Sequence, residues 1–208
     1  VLERRMAQER VHLPRLELRE LHWILLEEFR PKLLVVVALE HLRVQVDAEP
    51  RAVPPRQQET EAVDGAEERL EKAFTKISRH ESAEDTALEI EDRVIHAKRL
   101  GRGVAWFEFA ELCDGPRGKA DYIELARRYH TIVMSGVPYF GRNNADVVRR
   151  FTWLIDEFYD RRVKLIMSAA DQPEALYPMA EGGDQFIRTV SRLTEMQTHQ
   201  YLSEPHLP

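Results

Sequence analysis

From Val1 to Glu59 the chain contains no glycine, serine, threonine or asparagine, four residue types that together make up roughly a fifth of an ordinary protein. These are the residues that cap helices and turn chains, so the first segment lacks the usual punctuation of a folded domain. Cysteine is nearly absent as well. The single one, Cys113, excludes an internal disulfide and fits a reducing compartment; after the run AEL it reads as a small, partly buried apolar residue. Long apolar runs are missing: the longest, Leu33 to Leu39, falls far short of the roughly 20 residues that a membrane-spanning helix needs. No basic start followed by an apolar core and a cleavage site is found, so secretion is not indicated. Charge of one sign is not concentrated either. The 36 acids and 30 bases give a net charge of -6, and their interleaving argues against nucleic-acid binding as the main task.

What is present divides near residue 60. A length of 208 residues suits one ordinary domain, with or without an appendage. Before the boundary, Leu16 to Phe29 reads as a helix and Leu42 to Val46 as a short strand. Ala48 to Gln58, with Pro50, Pro54 and Pro55, reads as an irregular linker, because proline removes donors and restricts its neighbour. Residues 1–59 are therefore an atypical N-terminal segment with two open readings, a helical or disordered extension and a segment whose reading frame or start is misassigned. Residues 60–208 are the folded region.

Beyond residue 66 the periodicities become ordinary. Leu70, Ala73, Phe74 and Ile77 recur at helical spacing, with Glu67 and Glu68 in the first turn, where acids favour the helix dipole. Leu88 to Ile95 and Val104 to Phe109 read as the strands of a hairpin turned by AKRLGRG, and Trp106, Phe107 and Phe109 read as core. Tyr122, Leu125, Ala126 and Tyr129 place an amphipathic helix over Ala120 to Tyr129. Thr131 to Val137 and Val163 to Ser168 are short apolar strands. The helix between them presents Val147, Val148, Phe151, Leu154, Ile155 and Phe158 on one face, with Asn143 or Asn144 to cap it and Arg161 and Arg162 at its negative end. Two apolar strands joined by a crossover helix form a βαβ unit with parallel strands and a right-handed connection. The expected class is α/β, a βαβ unit with flanking amphipathic helices and a β-hairpin. A last helix is expected from Asp184 to Gln200, with Phe186, Val190 and Leu193 inward and Arg188, Arg192, Glu195 and His199 on a polar stripe.

In open parallel sheets, ligands gather at the carboxyl ends of the strands, here SGVPYFGRNN and SAADQPEALYP. The chemical signals themselves are sparse. WLIDEF imitates a strand ending in magnesium-holding acids, but its apolar residues keep helical spacing, which puts Asp156 and Glu157 on a solvated helix face. DGPRGKAD has Gly118 and Lys119 but Cys113 and Ala120 where a phosphate-binding loop needs glycine and a hydroxyl. The eight histidines show no metal-site spacing, so no metal ligand is assigned; His130 reads as part of a local hydrogen-bond network. No nucleophile elbow or Cys/His pairing supports a hydrolase of that kind. The candidate contacts are Arg149, Arg150, Arg188 and Arg192, whose guanidiniums can meet phosphate, a neighbouring subunit or an internal acid. Surface or internal pairs such as Asp146 with Arg150 and Arg192 with Glu195 compete with that role. Ser168, at a strand end, is a fifth candidate, with turn capping as its competing role.

Several stretches resemble one family. They are DY-x-x-L-A (Asp121, Tyr122, Leu125, Ala126), RRF with LID-x-(F/L)-Y and VKL, the SA-x-x-x-P-x-x-LY loop (Ser168, Ala169, Pro173, Leu176, Tyr177) and R-T-x-S-R-L-x-E-M-Q-x-x-x-Y. Over roughly Ala66 to Leu202 they resemble the C-terminal part of the ZapE-like (AFG-one-like) AAA+-type ATPases. The resemblance implies an AAA+-type α/β architecture, ATP and Mg2+ as cofactors of the complete protein, homo-oligomerisation, cell-division machinery as partner, and a cytoplasmic location, peripheral at the inner membrane. The Walker A, Walker B and first-sensor elements of that family are expected upstream, so no ATP-binding residue carries over and the chain alone is expected to be inactive. Two alternatives stand beside this reading: a non-catalytic protein-interaction module, and an unrelated small α/β enzyme using its strand-end loops.

Overall fold

A computed structural model of the chain describes residues 36–37, 56–78, 82–177 and 186–208. The expected helix at Leu16 to Phe29 and strand at Leu42 to Val46 lie outside them. The elements run β1 (Val36–Val37), α1 (Arg56–Ile77), β2 (Ser82–Ile90), β3 (Arg93–Gly101), β4 (Val104–Glu108), α2 (Phe109–Cys113), α3 (Lys119–Arg128), β5 (Thr131–Val137), α4 (Ala145–Asp160), β6 (Lys164–Ala169), α5 (Pro173–Leu176), α6 (Ile187–Glu195) and α7 (His199–Ser203). Six strands form one sheet in the order β1-β6-β5-β4-β3-β2. From β1 to β4 the neighbours are parallel, and β3 and β2 are added antiparallel. The βαβ unit is β5–α4–β6, as its apolar runs require.

Alternation along the strands builds two apolar layers. Val104, Trp106, Val133 and Ile166 face α1, which buries Leu70, Ala73, Phe74 and Ile77 against them. Ala105, Phe107, Ile132, Met134, Leu165 and Met167 face the larger core shared with Tyr122, Phe151, Leu154, Phe158 and Leu193 of α3, α4 and α6. Trp106, Phe107 and Phe109 are core residues. So is Cys113: it is fully buried rather than partly, and burial pushes its thiol well above the usual range.

Other expectations shift, each for a local reason. Helix α1 begins at Arg56, so the last residues of the supposed linker are helical; Pro54 and Pro55 precede its first turn, where a missing N–H costs little. The run Leu88 to Ile95 is two strands, because Glu91 and Asp92 adopt φ of 47° and 60° and close a two-residue hairpin turn without glycine. Most of AKRLGRG is then strand, and only Arg102 and Gly103 turn between β3 and β4. The final helix is broken: α6 stops at Glu195, and Thr198 caps α7 by accepting the Tyr201 N–H at 3.2 Å. Asn144 stands at the start of α4 but caps the turn before it, accepting the Gly141 N–H at 2.7 Å. Asp156 and Glu157 lie on helix α4 as periodicity requires, yet they are not solvated: their side chains are 20% and 14% exposed and ion-paired.

The β2–β3 hairpin projects past β4, which pairs only with Arg99 to Gly101. Side chains close the uncovered stretch of β3. Glu111 accepts the His96 N–H at 3.3 Å, and Arg117 donates to the Val94 carbonyl at 3.1 Å and to the Glu111 carbonyl at 2.9 Å. Buried Asp121 accepts from Arg93 and from the Gly118 N–H through one oxygen, Oδ2. The DGPRGKAD stretch thus fastens a hairpin.

Candidate functional site at the carboxyl edge of the sheet

The alternation that places Trp106, Val133 and Ile166 against α1 continues to the strand ends. Two residues further on the same face stand Glu108 in β4, Ser135 in β5 and Ser168 in β6. Glu108 is the direct register partner of Ser135, and Ser168 follows Met167, the partner of Met134. Three polar residues therefore form a row across three adjacent parallel strands, at the edge where such sheets place their ligands. Ser135 sits at an irregularity between β5 and β6, and Gly136 beside it has φ of 78°, a conformation that a side chain would strain.

Each member of the row has one engaged atom and one left over. Ser135 Oγ, buried, accepts the indole N–H of Trp106 at 3.0 Å. Ser168 Oγ accepts the Gly136 N–H at 3.0 Å. Both hydroxyl protons remain to be donated, and among the described residues neither has an acceptor. The Glu108 Oε1 atom is 3.4 Å from the Lys98 ammonium, which also pairs with Glu67. Its Oε2 lies over Gly136, 3.8 Å from where a Cβ would be, with no donor among the described residues. The loops beyond the row are laced together: Ala170 donates to the Val137 carbonyl, Phe140 to the Leu176 carbonyl, and the Tyr139 hydroxyl to Asp171 at 2.9 Å. Burial and that carboxylate raise the Tyr139 pKa.

Of the residues singled out in the sequence, the structure brings only Ser168 to this row. Arg149 pairs with Asp146 at 2.5 Å and stacks 5.6 Å over the exposed side of Trp153. Arg150 donates to the Cys113 carbonyl at 2.6 Å, and Asp146 takes Arg149 instead. Arg192, only 12% exposed, joins Asp156 and Asp160 of α4 rather than Glu195, and lies over Tyr159. Arg188 is 69% exposed, 3.9 Å from Asp156. Glu108 and Ser135 were overlooked in the sequence. Their signal is present: VAWFEF, TIVMSGV and KLIMSA each place a polar residue two positions after an inward apolar one.

The opposite, amino edge holds a second polar group. Lys164, 5% exposed, donates to the carbonyls of Arg162, Tyr201 and Glu204 at 2.9–3.1 Å; burial pushes its pKa down to about 8. Buried His130 shares a 2.8 Å hydrogen bond with Thr131 and is pushed down to about 4, chiefly by desolvation. The local network expected around it is there. His206 bonds the Ala126 carbonyl at 2.6 Å, and Leu207 donates to the Arg161 carbonyl.

A sequence model of the AFG1-like ATPase family matches residues 27–205, which takes in every described strand. The chain belongs to the AFG1-like ATPase family. The match begins well before Ala66, where the motif resemblance had placed its start. The chain is 33% identical over 138 residues to the cell division protein ZapE of Escherichia coli K12, a match covering 66% of this chain and 37% of that protein. It is 34% identical over 146 residues to the lactation elevated protein 1 homolog B of Danio rerio, covering 55% and 29%. An uncharacterized Schizosaccharomyces pombe protein is 30% identical over 151 residues, covering 59% and 33%. The chain thus spans about a third of the length of the curated relatives it matches. No solved structure matches it significantly.

Membership in the AFG1-like ATPase family implies nucleotide and metal use by the family, a ligand with a phosphate part and a metal part. A phosphate cradle is not among the described residues: the Gly136 N–H is engaged by Ser168, and the buried ammonium of Lys164 lies at the other edge. Nor do the described residues contain a cluster of three His, Cys, Asp or Glu suited to a metal. The carboxyl-edge row offers hard oxygens and two hydroxyl donors, the chemistry that meets phosphoryl oxygen and metal-bound water. Among the described residues no helix is long and apolar enough to cross a membrane.

Proposed function

We propose that this chain is the C-terminal portion of a ZapE-like ATPase that hydrolyses ATP with Mg2+ in the complete protein and acts in cell division. The observation that supports this most is the family match over residues 27–205, which includes three adjacent parallel strands that end in one polar row. In this reading the chain supplies one wall of the nucleotide site. The phosphate-binding loop and the acid that ligates the metal directly come from sequence outside it, so the chain alone neither binds ATP nor hydrolyses it. The complete protein assembles as a homo-oligomer and works in the cytoplasm, peripheral to the inner membrane, with division machinery as its partner. Of the four candidate arginines, Arg149 and Arg188 are exposed and available for subunit or nucleotide contacts; Arg150 and Arg192 serve internal bonds. The boundary near residue 60 sets off an atypical N-terminal segment that nevertheless lends β1 to the sheet and opens α1 at Arg56.

Equilibrium binding of Mg-ATP tests the reading. The isolated chain is expected to show no binding at millimolar concentration, and the complete protein saturable binding. Saturation of the isolated chain would refute its dependence on other sequence. A complete protein without binding would remove the ATPase reading and leave the second one, a non-catalytic interaction module, which the lack of a phosphate cradle among the described residues favours.

A further inference from the structure

Among the described residues, the row at the carboxyl edge has unmatched hydrogen-bonding capacity of both kinds. Two serine hydroxyls have accepted a bond and hold a proton to give; a carboxylate oxygen, Glu108 Oε2, holds lone pairs to fill. A free anion would suit the hydroxyls but meets Glu108, only partly offset by a Lys98 that already serves two glutamates. A bare cation would suit Glu108 but leave the hydroxyl protons unused. A metal–phosphate ligand suits both, since its phosphoryl oxygens accept hydroxyl protons while metal-bound water donates to a carboxylate.

We propose that Glu108, Ser135 and Ser168 contact a metal–phosphate ligand, with the two serines holding phosphoryl oxygen and Glu108 holding the hydrated metal. The inference rests on the ATPase reading and assigns residue roles within it. Ser135 is the rigid member, locked by the Trp106 indole beneath it. Ser168 is bound to the Gly136 N–H and reports on the neighbouring strand. Glu108 leans across Gly136, where a side chain would be strained by the positive φ.

The test is made on the complete protein, by calorimetric ATP binding in magnesium and in EDTA. Glu108→Gln is expected to lower the magnesium enhancement of affinity about tenfold while leaving affinity in EDTA unchanged. Ser168→Ala is expected to weaken binding about fivefold in both. Glu108 is an exposed side chain, so Glu108→Gln should fold normally, as thermal melting would verify; Ser135→Ala, which also unseats Trp106, is the less clean variant. An unchanged magnesium enhancement in Glu108→Gln, with normal ATP binding, would overturn this inference alone. Failure of the unaltered complete protein to bind ATP would overturn the ATPase reading and this inference with it.

Discussion

The two edges of the parallel strands are built from similar residues and left in opposite states. At the amino edge, Thr131 and Lys164 stand on the same strands and the same face as Ser135 and Ser168, four residues earlier. There the polar atoms are engaged by the protein itself: Lys164 meets three carbonyls, His130 meets Thr131, and His206 and Leu207 bond the ends of α3 and α4. At the carboxyl edge each of Glu108, Ser135 and Ser168 keeps one atom without a partner among the described residues. A buried polar group costs free energy unless it is bonded, so a closed edge serves stability. At the carboxyl edge Glu108 is half exposed and Ser168 partly so, and their remaining hydrogen-bonding capacity meets solvent and is available to a ligand.

Mutations at the amino edge should therefore cost stability, and the largest loss is expected at Gly103. Its φ is 71°, and a Cβ there would lie 2.5 Å from the His130 ring, which is buried and bonded to Thr131. Gly103→Ala should destabilise by about 4 kcal/mol, from overpacking and backbone strain together, as urea denaturation would measure. Lys164→Met should follow at about 3 kcal/mol, since it strips donors from three carbonyls. Its signature would be faster amide exchange at Leu207 and Glu204. A loss below about 1 kcal/mol in both variants would mean that the two edges do not differ.

Acid should discriminate the edges too. His130 stays neutral in the fold down to about pH 4, whereas in the unfolded chain it takes a proton near its ordinary value of about 6.5. Between those values the unfolded state binds more protons, so stability falls as the pH falls, by on the order of 3 kcal/mol once pH 4 is reached. His130→Gln should flatten that slope in denaturation curves taken from pH 7 to pH 4. The smallest contrast lies on α6. Arg192→Ala removes a mostly buried guanidinium from two aspartates and a tyrosine ring and should cost about 2 kcal/mol. Arg188→Ala, at an exposed position, should change stability by less than about 0.5 kcal/mol. Any ATPase effect of Arg188→Ala in the complete protein would therefore be separable from folding, which is not so for Arg192.

The same contrast explains what the sequence displayed. Apolar periodicity gave α3, α4, β5 and β6 almost to the residue, because those elements bury one clear face. It failed at Glu91–Asp92, where two acids take the positive φ that glycine or asparagine would advertise, and at Thr198, where a hydroxyl restarts a helix inside a continuous apolar stripe. Arginine spacing suggested an external stripe at Arg188 and Arg192, but spacing carries no information about acids on another helix, and Asp156 and Asp160 claim Arg192. Glu108 and Ser135 escaped notice because a single Glu or Ser at a strand end is common. Only the register, which sets Glu108 opposite Ser135, turns them into a row.

The side-chain closure of β3 governs how the sheet can grow. With Glu111 and Arg117 occupying its exposed backbone beyond β4, no foreign strand can add there. At this end of the sheet the described edge left for pairing is β2, where exposed Glu89 would meet like charge on an identical copy. The hairpin therefore projects from the domain without becoming a seed for polymerisation.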